Sequence, residues 1–257
     1  MRSPSQVNEY LEGCPWKYYL RRIERVEPRP AAWSHQGTAF HAACEAYELS
    51  DRTMSLRDVR GTFSDEYSRL VNLSLDAEPD TDRWMTAGPE GVADIEARFQ
   101  LGLEQTAGYV SWAEKAEPAI WKSDALPDCR GIEMRLTAEI GGVRVQGIID
   151  QVVQDGPGEV RIRDLKTGSM KSRFQLETYA ILVQKALTLK VERGDWYLAK
   201  TGKLSRPIVF SESMEDDVGR KYAEMDAGVK RGDFPARPGF SCRFCDVSHA
   251  CTASRRK

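Results

Sequence analysis

The sequence has few histidines, little net charge and no long apolar run. The last two features limit the classes of protein to which it can belong. Its 257 residues include 3 histidines, and the formal net charge is −2. No apolar run approaches the ~20 residues that span a bilayer, so an integral membrane protein is excluded. No secretory signal is expected either, because MRSPSQVNEYLEGCPWKYYL lacks the apolar centre of one. The cytoplasm is therefore the expected compartment.

The near-zero net charge gives no general attraction to nucleic acid, so any such binding depends on local patches. The sequence also lacks the phosphate-binding loop GxxxxGK[ST] of helicase motors, so any unwinding of DNA requires a partner. Local basic clusters do occur, although such runs are usually solvated faces. Their members are Arg21, Arg22, Arg25, Lys171, Arg173, Arg255, Arg256 and Lys257.

The residue pattern predicts a single α/β domain over 1–257, with a composition ordinary for a globular protein (41% hydrophobic, 30% charged). Helical periodicity dominates before residue 130, and three β-rich runs separated by glycine-rich turns follow. A helix over 174–189 and a further strand pair complete a central mixed or mostly antiparallel sheet flanked by helices. We interpret 51–130 as a helical insertion and 235–257 as a cysteine-rich tail.

The pattern also predicts a helix over 35–49, with Thr38 as its N-terminal cap. His41 lies on this helix, with Glu45 one turn later. A single helical histidine is usually an ordinary core or surface residue. It becomes a candidate metal ligand only if a carboxylate site elsewhere in the chain lacks one ligand.

Residues 161–180, RIRDLKTGSMKSRFQLETYA, combine four polar side chains that could meet at one place. Asp164 and Lys166 are two apart in a predicted strand, so they share one face of it. Gln175 and Tyr179 are four apart in the following helix and share one side of that helix. A lone Asp-x-Lys is most often a surface ion pair, so other residues have to support a site.

Asp150 provides that support, because it ends the apolar strand GIIDQVV just before a tight turn. The turn returns the chain through VRIRDLK, which brings Asp150 towards Asp164 and Lys166. Paired carboxylates repel unless a cation lies between them, and such oxygen ligands suit Mg²⁺ or Mn²⁺. Lys166 could then orient or deprotonate a water molecule, or stabilise charge on a phosphoryl group. The alternative is a pair of acids on a solvated rim.

Four motifs follow one another in the order and spacing of a known nuclease family. The two aspartates are 14 residues apart, and QxxxY follows D-x-K directly. Together the motifs resemble those of RecB-type nucleases in the PD-(D/E)XK superfamily, which implies a restriction-endonuclease-like core. The segment 51–130 matches least. The motif residues are His41 in GTAFHAACE, Asp150 in GIID, Asp164, Leu165 and Lys166 in RDLKTG, and Gln175 and Tyr179 in QLETY.

The resemblance implies a metal site and a catalytic group. His41, Asp150 and Asp164 would hold Mg²⁺ or Mn²⁺, assisted by the backbone carbonyl of Leu165. Glu133 in GIEMRL would support these ligands from outside the metal's own ligand set.

The catalytic group implied by the resemblance combines the two aspartates with three further side chains. Lys166 would act on the attacking water. Gln175 and Tyr179 would position Lys166 or the DNA backbone.

The chain has six cysteines, which in a cytoplasmic protein indicate metal or redox chemistry more than disulfides. Cys44 and Cys129 are expected to be ordinary buried or half-buried thiols. Near the end of the chain, Cys242, Cys245 and Cys251 offer three thiolates at the spacing of cluster ligands.

Three thiolates do not complete a four-ligand site, and Cys14 would be the distant fourth. A single N-terminal cysteine with a C-terminal triplet resembles the iron–sulfur staple of the AddB nuclease domain and of CRISPR-associated adaptation nucleases. The resemblance implies a [4Fe–4S] cluster. Structural Zn²⁺ remains the alternative, with His249 as another possible ligand.

These observations predict a metal-dependent DNA nuclease that hydrolyses phosphodiesters in recombination, repair or phage DNA metabolism. An exonuclease on single strands or DNA ends is the first hypothesis. A structure-specific or flap endonuclease is the second. A DNA-binding assembly subunit with a vestigial site is the alternative from another class.

Overall fold

A computed structural model of the chain describes residues 1–115, 119–125, 129–168 and 173–253. Two of the basic groups, Lys171 and the run 255–257, therefore lie outside the described residues. Within the described ranges, no helix is both long and apolar enough to cross a bilayer. The helices are α1 (Pro4–Val7), α2 (Pro15–Arg22), α3 (Ala32–Leu49), α4 (Leu56–Ala77), α5 (Val92–Ala113), α6 (Phe174–Leu187) and α7 (Met214–Arg231).

The strands form one mixed sheet in the order β1-β2-β3-β4-β5, and β6 also pairs with β4. The β1–β2 and β2–β3 pairs are antiparallel hairpins, whereas β3 and β4 are parallel and joined through α6. The expected α/β fold with a central sheet flanked by helices is confirmed. The strands are β1 (Ile132–Ile140), β2 (Val143–Gly156), β3 (Glu159–Lys166), β4 (Lys190–Leu198), β5 (Lys203–Leu204) and β6 (Ile208–Val209).

Helices cover both faces of the sheet and create two hydrophobic cores. One core lies between the sheet and the α6–α7 layer and includes Ile149, Ile162 and Tyr222. The other lies under α3, α4 and α5 and includes Phe63 and Leu165. Helix α6 is buried over most of its surface, as expected for a helix between a sheet and another helix. Side chains on α6 are therefore held in fixed positions relative to the strands.

Helix α3 begins earlier than the sequence suggested. It starts at Ala32, its N-cap Ala31 provides no side-chain hydrogen bond, and Thr38 is not a cap. The Thr38 hydroxyl instead donates to the backbone carbonyl of Ser34, one turn back within the helix. A threonine can satisfy its hydroxyl in this way in a helix interior, so its presence alone does not mark a helix start.

The two ends of the described chain pack against each other. Arg2 forms an ion pair with Asp226 of α7 at 2.7 Å, and Lys17 of α2 forms one with Asp246 at 2.9 Å. The ring of Phe234, just after α7, stacks on Tyr18 of α2. These contacts bring α2 next to the cysteine-rich tail.

Candidate active site

The β2–β3 hairpin brings two of the predicted carboxylates to the same end of the sheet. Gln151 pairs with Arg163, so the preceding Asp150 lies opposite the following Asp164. Oδ2 of Asp150 accepts a hydrogen bond from the Leu165 N–H at 2.7 Å. The carboxylate thus serves as acceptor where a backbone carbonyl would serve in a regular strand pair. Both carboxylates are buried. The close approach expected from the turn is present.

His41 reaches this end of the sheet from α3. Its Nε2 lies 3.1 Å from the backbone oxygen of Leu165, and its Nδ1 lies 3.2 Å from Glu133 Oε1 and 3.7 Å from Asp150 Oδ2. Carbonyl and carboxylate oxygens only accept hydrogen bonds, so both ring nitrogens must donate. In the metal-free protein His41 is therefore an imidazolium surrounded by acceptors.

The charges around His41 account for this protonation. Burial alone would lower the pKa of His41, but the Asp150 charge and the hydrogen bond to Glu133 raise it to about 9. Burial raises the pKa of Asp150 to about 7; the Asp164 and Glu133 charges add to this effect, and His41 opposes it. The positive charge of His41 thus partly compensates the buried Asp150 and Asp164 and the half-buried Glu133.

Glu133 belongs to the same group of donors. Its neighbours in β1 pair with Gln151 and Ile149 of β2, which puts Glu133 opposite Asp150. Its φ of +44° lies in the left-handed region, which costs a non-glycine residue about 1–3 kcal/mol. One ligand atom each from His41, Glu133 and Asp150 lies within 4.8 Å of the other two. The sequence suggested a supporting role for Glu133, whereas the geometry makes it a candidate direct ligand.

Asp164 and Lys166 lie beside this group. Lys166 Nζ is 2.7 Å from Asp164 Oδ2, as expected for side chains on one face of β3. Asp164 Oδ1 is buried and has no hydrogen-bond partner among the described residues. Burial raises the pKa of Asp164, and the Lys166 charge opposes this shift. A buried carboxylate oxygen without a partner is costly unless a cation or a donor satisfies it.

Lys166 is held in place by α6. Its ammonium group donates to Gln175 Oε1 at 3.2 Å, and the Gln175 amide nitrogen donates to the Tyr179 hydroxyl at 2.9 Å. Burial raises the pKa of Tyr179 above its usual value, so the phenol stays neutral. The two motif residues on α6 therefore position the Lys166 ammonium group through a hydrogen-bonded chain.

This set of side chains fits a divalent cation. Its donors are carboxylates, one imidazole and a backbone carbonyl, and it includes the partnerless oxygen of Asp164. Such oxygen-rich sites suit Mg²⁺ or Mn²⁺, and Mn²⁺ accepts an imidazole more readily. When bound, a divalent cation polarises phosphate oxygens and lowers the pKa of water.

Metal affinity should rise with pH, because a cation competes with protons at this site. His41 has a pKa of about 9 and Asp150 of about 7, so at pH 6 both are largely protonated. Mn²⁺ affinity should therefore increase from about pH 6 to about pH 9 and then level off, with roughly one proton released per ion near pH 8. Calorimetric titration in two buffers of different ionisation enthalpy measures this release. His41→Ala should bind Mn²⁺ more weakly and release fewer protons. Equal affinity from pH 6 to pH 9 would contradict the assignment.

Gly147 of β2 sets the distance between the sheet and α6. A Cβ at this position would lie 2.7 Å from a Tyr179 ring carbon and 2.8 Å from Leu182 Cδ1. Gly147→Ala should therefore destabilise the fold by roughly 1–3 kcal/mol and disturb the hydrogen bond from Gln175 to Tyr179 by displacing the Tyr179 ring. Gly61→Ala is the control, because no atom lies within 4 Å of the added methyl group. Chemical denaturation compares the two, and equal stability of both variants would refute the close-approach argument.

A buried polar network behind the site was not anticipated from the sequence. The Gln151 amide donates to the Tyr109 hydroxyl, which donates to Glu48 Oε1 at 2.7 Å. Glu48 lies two helical turns after His41 on α3, and that spacing is the signal that could have revealed it. The network links α3 and α5 to the β2 residue next to Asp150.

A second unanticipated link anchors the end of β3. Gln36 of α3 donates to Gln105 of α5 at 2.6 Å, and Gln105 donates to the Thr167 carbonyl at 3.1 Å. Thr167 directly follows Lys166. Both links position the strand ends that carry the site.

The four cysteines expected to form one group line a single cavity of about 290 Å³ between α2 and the tail. Cys44 is instead buried in the core under α3, and Cys129 is partly buried before β1. The cavity cysteines are Cys14, Cys242, Cys245 and Cys251.

Backbone donors point at two of these sulfurs. The N–H of Arg237 donates to Cys14 Sγ and that of Gly239 donates to Cys242 Sγ, both at 3.3 Å. Hydrogen bonds of this kind stabilise thiolates and tune the clusters they hold. The donor set is chemically suited to a thiolate-bound metal group.

Comparison with known proteins agrees with the fold. The model of the PD-(D/E)XK nuclease superfamily matches residues 2–252. The chain therefore belongs to the PD-(D/E)XK nuclease superfamily.

Curated relatives come from mycobacterial phages. The chain is 37% identical to the Gene 69 protein of Mycobacterium phage L5 over 281 aligned positions, which cover 98% of this chain and 96% of that protein. It is 35% identical to the Gene 69 protein of Mycobacterium phage D29 over 265 positions, with the same coverage. Among solved structures, a Eubacterium rectale protein named "Putative exonuclease" aligns with a TM-score of 0.53 and 14% identity, over 99% of this chain and 89% of that one. This last likeness concerns the fold.

Proposed function

We propose that the protein is a divalent-metal-dependent deoxyribonuclease that hydrolyses phosphodiester bonds. The proposal rests mainly on one observation. His41, Glu133 and Asp150 form a group of possible metal ligands next to the ion pair of Asp164 and Lys166. All the motif residues of the superfamily are present, so the site has the groups that the chemistry needs. An assembly subunit with a vestigial site would not require them.

Each side chain has a role that follows from its surroundings. Asp150, Asp164, Glu133 and His41 would hold the cation, and His41 would have to lose its proton to do so. The Leu165 carbonyl, which faces His41, would be a further ligand. These groups are the residues through which metal affinity can be tested.

Lys166 acts beside the cation site as a positioned ammonium group. It orients the attacking water and stabilises the negative charge that develops on the phosphoryl group. Gln175 and Tyr179 keep this ammonium group in place through their hydrogen-bonded chain.

The substrate we propose is single-stranded DNA or DNA ends, cut as an exonuclease. The similarity to mycobacteriophage proteins favours phage DNA metabolism, including recombination and repair of phage DNA. Because the sequence lacks a helicase phosphate-binding loop, a helicase or recombination partner would supply any unwinding.

Incubation with end-labelled linear, closed circular and flapped DNA in Mg²⁺ or Mn²⁺, with EDTA controls, tests the function. An exonuclease degrades linear DNA and spares closed circles, whereas a flap endonuclease cuts only at the junction. DNA binding without any cleavage would indicate the vestigial subunit and overturn the proposal.

We also propose that the cysteine cavity holds a [4Fe–4S] cluster. The four cysteines that line this one cavity are the ligand set that the resemblance to iron–sulfur-stapled nucleases implies. Structural Zn²⁺ is the alternative, and His249, its other possible ligand, lines a neighbouring groove.

A further inference from the structure

A groove of about 650 Å³ adjoins the active site and shares Gln175 and Tyr179 with it. One wall consists of Gln175 and Tyr179 of α6, and another consists of the N-terminal segment 3–13. Arg135 of β1 and Ile148 of β2 lie on its remaining side. A volume in this range is typical of pockets that hold small ligands.

The groove lies where the sheet is interrupted. Arg2 extends the sheet along β2, donating to the Arg144 carbonyl and accepting from the Gln146 N–H. On the same side β3 pairs with β2 only from Gln151 onwards. In the described part of the chain, no strand pairs with residues 147–150 on this side. Ile148, which lines the groove, lies two residues before Asp150 in β2, so the gap extends towards the proposed metal ligands.

Arg135 gives the groove a positive charge. Its side chain is exposed, and it has no ion pair or side-chain hydrogen bond with the residues that the structure describes. It lies two residues after Glu133 in β1 and pairs with Ile148, two residues before Asp150. This guanidinium group has no protein partner among the described residues and lies close to the proposed phosphodiester-cleaving site. Its planar set of donors is therefore suited to bind a neighbouring phosphate.

Ile148 gives the groove an apolar surface. It is 39% exposed, although it lies on a strand whose neighbouring residues are buried or half-buried. Apolar side chains at such positions contact the faces of nucleobases in many nucleic-acid complexes. The charge of Glu12, which also lines the groove, is compensated by Lys221 at 3.3 Å.

Much of the remaining lining is neutral and polar. It offers hydroxyl and amide groups, and Asn8 Oδ1 is buried without a hydrogen-bond partner among the described residues. One cation, one apolar surface and several neutral donors and acceptors together correspond to the chemistry of a single nucleotide. The polar lining residues are Ser3, Ser5, Asn8 and Gln146.

We propose that this groove binds the nucleotide adjacent to the scissile phosphodiester, with Arg135 on its phosphate and Ile148 against its base. The inference rests on the proposed nuclease function. It adds a substrate subsite and two residues that determine how DNA is held.

The first test compares Arg135→Ala with Arg144→Ala. Arg144 is also an exposed arginine of the β1–β2 hairpin, but it does not line the groove. Binding of a fluorescent single-stranded oligonucleotide is measured by anisotropy in the cleavage-deficient background Asp164→Asn. Arg135→Ala should weaken binding about tenfold, as expected for one lost charge-assisted contact. It should also reduce the slope of log K against log [salt] by about 0.7. Arg144→Ala should leave both the affinity and the salt slope nearly unchanged.

The second test concerns Ile148 and uses the same assay. Ile148→Ala should weaken binding of an ordinary oligonucleotide severalfold but should scarcely affect an abasic one of equal length. An equal loss with both oligonucleotides would overturn the contact with the base. In the otherwise wild-type enzyme, both Arg135→Ala and Ile148→Ala should raise KM more than they lower kcat.

The outcomes separate the subsite from the nuclease function. If wild-type protein cuts DNA and the two arginine variants have equal salt slopes, the subsite is overturned and the function stands. If wild-type protein binds DNA without cutting it and only Arg135→Ala lowers the slope, the function falls and the groove remains a nucleotide site. If the protein neither binds nor cuts DNA, both proposals fall.

Discussion

Asp164→Asn is expected to lower DNA cleavage by about 10²-fold or more while the fold and DNA binding are retained. Asp164 is one of the proposed metal ligands, and its Oδ2 holds Lys166 at 2.7 Å. Asparagine has nearly the same shape but carries no charge to attract a cation. Single-turnover cleavage of end-labelled DNA in Mn²⁺, together with unfolding in EDTA, measures the two effects separately.

The effect of Asp164→Asn on stability should also differ from the loss that is usual when a buried acid is replaced. Asp164 Oδ1 has no partner among the described residues, so its carboxylate is desolvated without full compensation. The unfolding free energy of metal-free Asp164→Asn should therefore be unchanged or higher. Lys166→Ala should also abolish cleavage, but it should destabilise the metal-free protein because Asp164 then loses its one ion-pair partner.

Asp195 of β4 is the matched control. It is also fully buried, but Arg161 and Arg163 donate to both of its oxygens at 2.7–3.1 Å. Removing one partner of such a buried pair costs about 3–5 kcal/mol, so Asp195→Asn should lose stability while its folded fraction remains active. Near-normal cleavage by Asp164→Asn protein free of contaminating nuclease would refute the catalytic assignment.

The second large effect is expected at the cysteine cavity. Alanine at any one of its four cysteines should cause loss of iron, loss of the brown colour and reduced solubility. A link from Cys14 to Cys242 closes a loop of more than 200 residues. By the loop-entropy relation used for disulfides, it could stabilise the fold by about 5 kcal/mol, less any strain. Metal analysis and unfolding of anaerobically purified protein measure both effects.

The other two cysteines are the controls. Cys44→Ala and Cys129→Ala should keep the iron and have mild effects on stability, because neither side chain lines the cavity. One equivalent of zinc without iron, in protein never exposed to air, would overturn the cluster and leave a zinc staple. Stability unaffected by Cys14→Ala would overturn the staple itself.

The parts of the site that could be predicted from the sequence are those that depend on local geometry. The glycine-rich turn between β2 and β3 brings Asp150 opposite Asp164, because a short hairpin determines its own register. The two-residue spacing in β3 and the four-residue spacing in α6 likewise put Lys166 beside Asp164 and Gln175. The α/β class followed from the pattern of helical and β-rich runs and the superfamily from the motifs, and both are confirmed.

The features that could not be predicted from the sequence are those in which one residue depends on the whole fold. The position of Glu133 among the donors depends on a left-handed backbone conformation that no motif marks. The protonated state of His41 depends on acids from two strands and a carbonyl from a third. The start of α3 at Ala32 was missed because Thr38 satisfies its hydroxyl inside the helix.

By itself, then, the sequence determined the fold class and the superfamily and marked the candidate residues for the chemistry, because motif order and short-range periodicity survive without a tertiary context. Only the tertiary structure decided which oxygen of Asp164 stays without a partner and where the sheet opens into the Arg135 groove. It also decided that Cys14 meets a tail more than 200 residues away. Burial, charge and contacts between distant segments are properties of the packed chain, and no short stretch of sequence contains them.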